Sequence, residues 1–396
     1  MRTGIYIFTF AFLLLGCHNS SNNEQANSTQ VIKKDTAKKS VDGVIPTSKK
    51  QPVPLAPLRL KHSKKELLAF LDSISHISVK NVLDSLNAGL ALCDTVKFPV
   101  DSEESIENLS IELTANEFAG LKKSCRKGAI SIWLAKKIFP NLKITKTEKK
   151  TKDSLYLRFY PFDEDTLAYK HYAIQITSSP ENIWDGTFYF FHGNKLIARH
   201  YCFYRFGPDI DSYADNSGDI YVFYKECFGE GAGLAWFHYY FFKYISDTLT
   251  PVLNVVQGTS NELITEQARI YGLDAKIIGT DPLKIKMNYS VSLNIQSDSD
   301  TYYDTFRNII NDSDIVTYRW DGNHTRYVPE YSSKLSDERL ASFYAMEDST
   351  QLARTDLLFL HSYSDLIKSL TESRNDTLSR AAFIYLDAVK SEWNAK

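Results

Sequence analysis

The chain has 396 residues, 46 Lys and Arg against 48 Asp and Glu, and 43% hydrophobic residues. Its net charge of −2 supplies no electrostatic footprint for nucleic acid or for a strongly charged polymer. Once an N-terminal leader and spacer are set aside, about 340 residues remain, enough for one large core or two smaller ones.

Arg2 gives the N-terminus a positive charge, and Gly4 to Leu15 form an uninterrupted apolar run. That run is too short for a stable membrane-spanning helix. It ends in Leu14-Leu15-Gly16-Cys17. Charge, apolar run, small residue and cysteine in this order resemble the lipobox of bacterial lipoproteins. The resemblance covers residues 1–17 and implies cleavage before Cys17, with acylation of the cysteine's thiol and new amino group. It also implies an address in the cell envelope, with the membrane as a partner through the lipid. In that family Asp after the cysteine favours the inner membrane; His18 stands here, so the outer membrane is expected.

Residues 1–16 are thus read as the signal peptide and 17–57 as the lipidated cysteine with a tether. The tether is rich in Asn, Ser, Thr, Gln and Lys and cannot bury enough apolar area to offset its ordering entropy. As a flexible chain it reaches roughly 35 Å.

The body begins with helix signals. Ser63-x-x-Glu66 is a capping box followed by Leu67, Leu71 and Ile74 at helical spacing, and Val79, Val82, Leu86, Leu90 and Cys93 form a second stripe. Thr114-x-x-Glu117 is a second box, with Leu113 and Phe118 placed as a hydrophobic staple. Gly128 is expected to interrupt that helix, and Pro140 to end the next. The region 58–140 is accordingly assigned to helix.

From 141 to 332 the period changes to two. Leu155, Leu157 and Phe159 alternate with Tyr156, Arg158 and Tyr160. Further strand-like runs fall at 169–178, 186–192, 195–206, 219–228, 235–245, 249–256, 283–296 and 314–320. His192-Gly193-Asn194-Lys195 and Asp321-Gly322 are hairpin signals. With strands following strands directly, the sheet is expected to be mainly antiparallel. Helical stripes return over 333–396, broken at Asn375-Asp376: Leu352, Phe359, Tyr363, Leu366 and Leu370, then Leu378, Ala382, Tyr385, Val389 and Trp393. The fold class is α+β, a mainly antiparallel β core flanked by N-terminal and C-terminal helices.

Assigning Cys17 to lipid leaves Cys93, Cys125, Cys202 and Cys227 for an oxidising compartment. Three pairings are open; Cys93–Cys125 and Cys202–Cys227 are favoured because each then stays within one region. Loop closure gives roughly 3.5 kcal/mol for such a bridge. Four free buried thiols are the alternative.

The segment 156–244 holds 27 of the 52 aromatic residues. Runs such as Phe188-Tyr189-Phe190-Phe191 put rings on both strand faces, so one face meets a core and the other is either covered or a stacking platform. Cover by the terminal helices is the favoured reading. Asp209, Asp211, Asp215 and Asp219 crowd one loop and present oxygen ligands suited to calcium, but the EF-hand register fails at Ala214 and Ile220, and a solvated turn competes. Gly229-Glu-Gly231-Ala-Gly233 is expected to be a mobile hairpin loop, since a strand rather than a helix follows it. Glu230 is placed in that loop, with Glu226 beside it. Trp236, Tyr239, Glu226 and Glu230 are therefore the candidate ligand surface.

No HExxH, GxSxG or CxxC pattern and no cofactor motif is present. The expected function is a binding or structural envelope lipoprotein contacting an envelope glycan or protein. The alternative is an envelope hydrolase of glycan or ester bonds, with Glu226 and Glu230 as a carboxylate pair.

Overall fold

The computed structural model describes residues 57–84, 106–140, 142, 153–177, 185–203, 210–231, 234–260, 268–295, 306–343 and 349–394. By contact the chain divides into Met1–Val53 and Pro54–Lys396, and the described residues all belong to the second unit. Cys17, Cys93 and Asp209 lie outside them, as do residues 1–56, which hold the expected leader and tether.

Helix α1 (Lys64–Ser75) starts at Ser63, whose hydroxyl accepts from the Glu66 N–H while the Glu66 carboxylate accepts from the Ser63 N–H. Leu67, Phe70, Leu71 and Ile74 form its buried face. The polar strand β1 (Glu107–Glu112) follows. Helix α2 (Ala115–Lys127) carries the Thr114–Glu117 capping box and ends at Gly128, whose φ of 65° is the left-handed conformation that glycine adopts without a steric cost. Strand β2 (Ala129–Ser131) and helix α3 (Ile132–Ile138) complete this part.

Strands then follow without interruption: β3 (Ser154–Pro161), β4 (His171–Thr177), β5 (Asp185–His192), β6 (Lys195–Phe203), β7 (Ile210–Ala214), β8 (Ile220–Gly231), β9 (Leu234–Ile245), β10 (Thr248–Ser260), β11 (Arg269–Thr280), β12 (Leu283–Asn294), β13 (Phe306–Asp321) and β14 (Arg326–Glu330). The chain closes with α4 (Asp337–Ala341), α5 (Ser349–Ser362), α6 (Ser364–Thr371) and α7 (Asp376–Asn394). No helix among the described residues is long and apolar enough to cross a membrane.

The strands make two antiparallel sheets. The first has six strands in the order β1-β6-β5-β4-β3-β2, and the second is an eight-stranded meander from β7 to β14 in chain order. Strands β1 and β2 fall within the region 58–140 that periodicity assigns to helix. The correction has a physical cause: β1 (ENLSIE) is an edge strand with only a weak alternation, and it is held by pairing with β6 far along the chain. Glu107 lies opposite Arg199 there, and the Arg199 Nε donates to the Glu107 carboxylate at 2.6 Å. Pro329 sits in β14, at the sheet edge where a strand tolerates proline, within the region 141–332 expected to be β.

Alternation sends the aromatic runs to two different cores. Phe188 and Phe190 pack with Val222, Tyr224, Tyr240 and Phe242 between the sheets. Tyr189 and Phe191 pack on the outer side of the first sheet with Tyr172, Leu121, Ile138 and Phe139 of the α2–α3 layer. The Tyr172 and Phe191 rings stack 4.8 Å apart, and Phe139 lies 4.4 Å from Tyr189. The third core joins Leu273, Ile285, Met287, Val291 and Val316 of the second sheet to α1, Phe343, Leu358, Phe359, Ile367 and Leu386. The layers are helices, sheet, sheet, helices.

Two charged contacts fix the C-terminal layer. Arg269 on β11 is buried; its Nε donates to Asp356 of α5 at 2.6 Å and its Nη1 to the Ser342 carbonyl, and the Tyr385 hydroxyl of α7 donates to the same Asp356 at 2.8 Å. Asp387 of α7 accepts from the backbone N–H groups of Lys61 and His62, each at 2.9 Å, which pins the start of the body to its last helix. Removing one partner of a buried pair strands the other charge at a cost of about 3 to 5 kcal/mol. Asp356→Ala is therefore expected to lose about that much in urea unfolding, and Arg269→Met added to it should recover part of the loss. An Asp356→Ala variant as stable as the parent would show that the pair does not hold the helix layer.

Candidate functional site

The ladder of the second sheet is nearly broken once. Strands β10 and β11 are 13 and 12 residues long, yet among the described residues they pair at Gly258↔Leu273 and Thr259↔Gly272 alone. In a flat sheet β8 and β13, five positions apart, would be separated by about 24 Å. Here Lys225 of β8 and Asn311 of β13 line one cavity of about 320 Å³. Nearer the other end of the same strands, Tyr221 of β8 meets Trp320 of β13 at 6.1 Å and Tyr327 of β14 at 5.6 Å. The sheet therefore folds back on itself, and the cavity occupies the crease at β10–β11.

Three strands supply each wall. On one side Lys225 comes from β8, Phe237 from β9 and Gln257 from β10, with Gln257 directly opposite Phe237. On the other, Asp274 stands opposite Asn288, and Gly272 opposite Ser290, itself opposite Asn311. The Lys225 ammonium lies 4.8 Å from the Phe237 ring centre and 5.6 Å from that of Tyr239. Burial pushes its pKa down, opposed by the negative charge of Asp274. Burial, with the same carboxylate adding to it, raises Tyr239. Gln257 is 1% exposed, and its Nε2 has no hydrogen-bond partner among the described residues. A buried donor left unmatched costs about 1 to 3 kcal/mol, and this one is sealed from solvent rather than open to the cavity.

Of the four residues expected to form a ligand surface, Tyr239 is half-buried at the edge of this cavity. Glu226, Glu230 and Trp236 stand in the β8–β9 ladder opposite His238, Ala235 and Gly229, and their side chains lie outside the described residues. Glu230 is thus a ladder residue rather than a loop residue. The Gly229–Gly233 stretch shortens to a two-residue connection, because Gly231 still pairs with Leu234.

Of the four aspartates considered for calcium, Asp209 lies outside the described residues. Asp211 lies on β7 and accepts from the neighbouring Ser212 N–H. Asp215 accepts from the N–H groups of Ser217 and Asp219, forming the turn, and Asp219 pairs with Lys243 at 2.7 Å. No three His, Cys, Asp or Glu side chains among the described residues converge to hold a metal. The nearly buried Lys243 ammonium, 4.3 Å from the Trp320 ring centre, takes the place a cation would need.

Cys125 carries a free, half-buried thiol whose pKa is pushed up to about 12 by burial, so it stays protonated and unreactive; its expected partner Cys93 lies outside the described residues. Cys202 and Cys227 belong to different sheets, opposite Gly186 and Phe237, and their side chains are not among those described.

Sequence reasoning missed Lys225, Gln257, Asp274, Asn288 and Asn311. One weak signal existed: Lys225 and Gln257 are polar residues set into runs (VFYKECF, LNVVQGT) that otherwise read as apolar strand. The chain matches no protein-family model, no curated protein and no solved structure.

Because Lys243 already balances the acidic turn, millimolar Ca²⁺ should leave the melting temperature within error. A rise reversed by chelator would restore the metal reading.

Proposed function

We propose that the chain is a lipid-anchored envelope protein whose body holds a small polar ligand in the crease of its second sheet. The anchor reading rests on the lipobox resemblance at residues 1–17 and the polar spacer behind it. The ligand reading is carried by one observation: the half-buried cation of Lys225 lines a cavity of about 320 Å³ together with the Phe237 ring and the exposed carboxylate of Asp274. Small-molecule sites are concave, with a few polar groups set among apolar and aromatic walls, and Phe237, Leu273 and Tyr289 supply such walls here.

Binding is favoured over hydrolysis by the lining itself. Asp274 is the one carboxylate among the lining residues, and no His stands beside Ser290 to activate it. Phe188, Phe190, Phe191, Phe241 and Phe242 are all fully buried, so these rings serve as core rather than as an open stacking platform.

Native mass spectrometry of the protein extracted from its own membrane tests the reading. The wild type should carry a small noncovalent adduct that Lys225→Met and Asp274→Asn both lose. Gln257→Leu should be at least as stable as the parent, by about 1 kcal/mol, because it removes an unmatched buried donor. Wild-type preparations that never carry an adduct, or adducts indifferent to both substitutions, would overturn the cavity as a ligand site. In the same preparations Cys17→Ala should move the protein from the membrane to the soluble fraction.

A further inference from the structure

The first sheet does not cover the whole of the second. Among the described residues, the core between the sheets draws on β7 to β10 of the second sheet, from Ile210 to Leu249, and on no strand beyond them. The helices complete the core on the face that carries Ile285, Met287 and Val316. Side chains alternate between faces, so β11 to β14 keep a second face with no layer over it.

Register places the residues of that face. Lys276 stands opposite Lys286, and Lys286 opposite Ile315. Two residues along, Lys284 stands opposite Thr317, and Thr317 opposite Glu330. Arg319 follows on the same face, opposite Val328. Ile278 is the extra residue of the bulge between Ile277 and Gly279. Ile278, Ile315 and Val328 are 46%, 48% and 38% exposed, where a packed layer would bury them.

Like charges directly opposite one another in a sheet repel, and Lys276, Lys284 and Lys286 have no ion-pair partner among the described residues. The acidic groups nearby are engaged or set apart. Glu330 pairs with Arg319, Asp281 accepts from the Asn216 N–H at 3.0 Å, and Asp274 lies beyond Lys276 at the crease. Three ammonium groups thus share one open strip with three exposed aliphatic side chains.

What covers this strip has to be anionic and to accept aliphatic contact. A second copy would set lysine against lysine. The chain's own spacer carries Lys33, Lys34, Lys38, Lys39, Lys49 and Lys50, which have the same sign. Protein interfaces favour aromatic rings and Arg and are poor in Lys, whereas Lys and aliphatic side chains predominate here. A membrane surface fits both features. Lysine stems lie along apolar material while their ammonium groups reach phosphate, and attraction to anionic lipid adds to the burial of apolar side chains.

We infer that the open face of β11 to β14 rests on an anionic phospholipid surface, with Lys276, Lys284 and Lys286 at the headgroup phosphates and Ile278, Ile315 and Val328 in the interface beneath. This contact requires neither a lipid on Cys17 nor a ligand in the crease.

The test uses residues 17–396 with Cys17→Ala, so that no acyl chain contributes; the described body lies wholly within Pro54–Lys396. Sedimentation is measured with vesicles of phosphatidylcholine alone and of phosphatidylcholine mixed with phosphatidylglycerol. The protein should partition about tenfold more strongly onto the mixed vesicles, and the difference should shrink as salt rises, because screening shortens the reach of the charges. Lys276→Gln, Lys284→Gln and Lys286→Gln together should weaken that partition by about tenfold or more, and Ile315→Ser should weaken it further. The same change at Lys123, Lys127 and Lys136, exposed on the α2–α3 layer, should leave most of the binding. This control separates the strip from total charge and from the spacer lysines, which every variant keeps. Equal partition onto the two kinds of vesicle overturns the inference, and that comparison needs no variant to fold. Binding that survives the triple change at the strip, or that falls equally in both triple variants, overturns it as well. Binding of poly-glutamate in place of the mixed vesicles would assign the strip to an acidic protein and overturn the membrane contact.

Discussion

A strand with large rings on both faces has to be covered twice. Tyr189 and Phe191 of β5 point to one core while Phe188 and Phe190 point to another, so the first sheet is stable only between two partners. One partner is the α2–α3 layer and the other is the second sheet. Phe242 and Tyr240 of β9 face the first sheet, while Phe241 on the same strand joins the core that the C-terminal helices complete. Stacking four layers follows from this requirement, and it accounts for the burial of these rings. Each ring buries a large apolar area, and offset or edge contacts such as those of Phe139 with Tyr189 and Phe191 add to it.

The second sheet meets the same requirement by curling. Eight twisted strands in one meander accumulate coil, and here the two ends come close enough for the Tyr213 and Tyr327 hydroxyls to meet at 3.0 Å. Lys243 sits at that closure, its ammonium near the Tyr221 and Trp320 rings and paired with Asp219. The curl is not evenly distributed. It concentrates at β10–β11, where the ladder keeps two residue pairs, and the polar cavity lies in that crease. Packing and candidate function are thus linked: the bend that buries Tyr221 brings Lys225 and Asn311, on strands far apart in the order, to one space.

What was legible in the sequence is what local chemistry determines. The Ser63–Glu66 and Thr114–Glu117 boxes, the left-handed Gly128 and the His192–Lys195 hairpin each depend on residues within a turn of one another. The C-terminal helices were legible for the same reason, their break at Asn375 included. Strand β11 was not, because its buried positions hold Arg269 and Ala275 beside Tyr271 and Leu273, and Arg269 reads as polar until Asp356 is seen against it. Strand β7 was hidden inside an acidic run that looked like a loop. The candidate site was almost wholly illegible: its residues come from six strands, and nothing local marks the place where a ladder opens. Tyr239 alone was singled out, and for its ring rather than for its place beside Lys225.

The account depends most on the ladder being open between β10 and β11. Backbone amides that face an unpaired edge exchange with solvent faster than those inside a closed ladder, and about half of the amides in each strand point toward a given neighbour. Hydrogen exchange read by mass spectrometry should find a fast subset within residues 253–257 and 274–277, while β9 over 239–243 and β12 over 285–289 remain protected. Protection over all four stretches equal to that of a continuous sheet would contradict the crease, and with it the cavity on which the proposed ligand site is built.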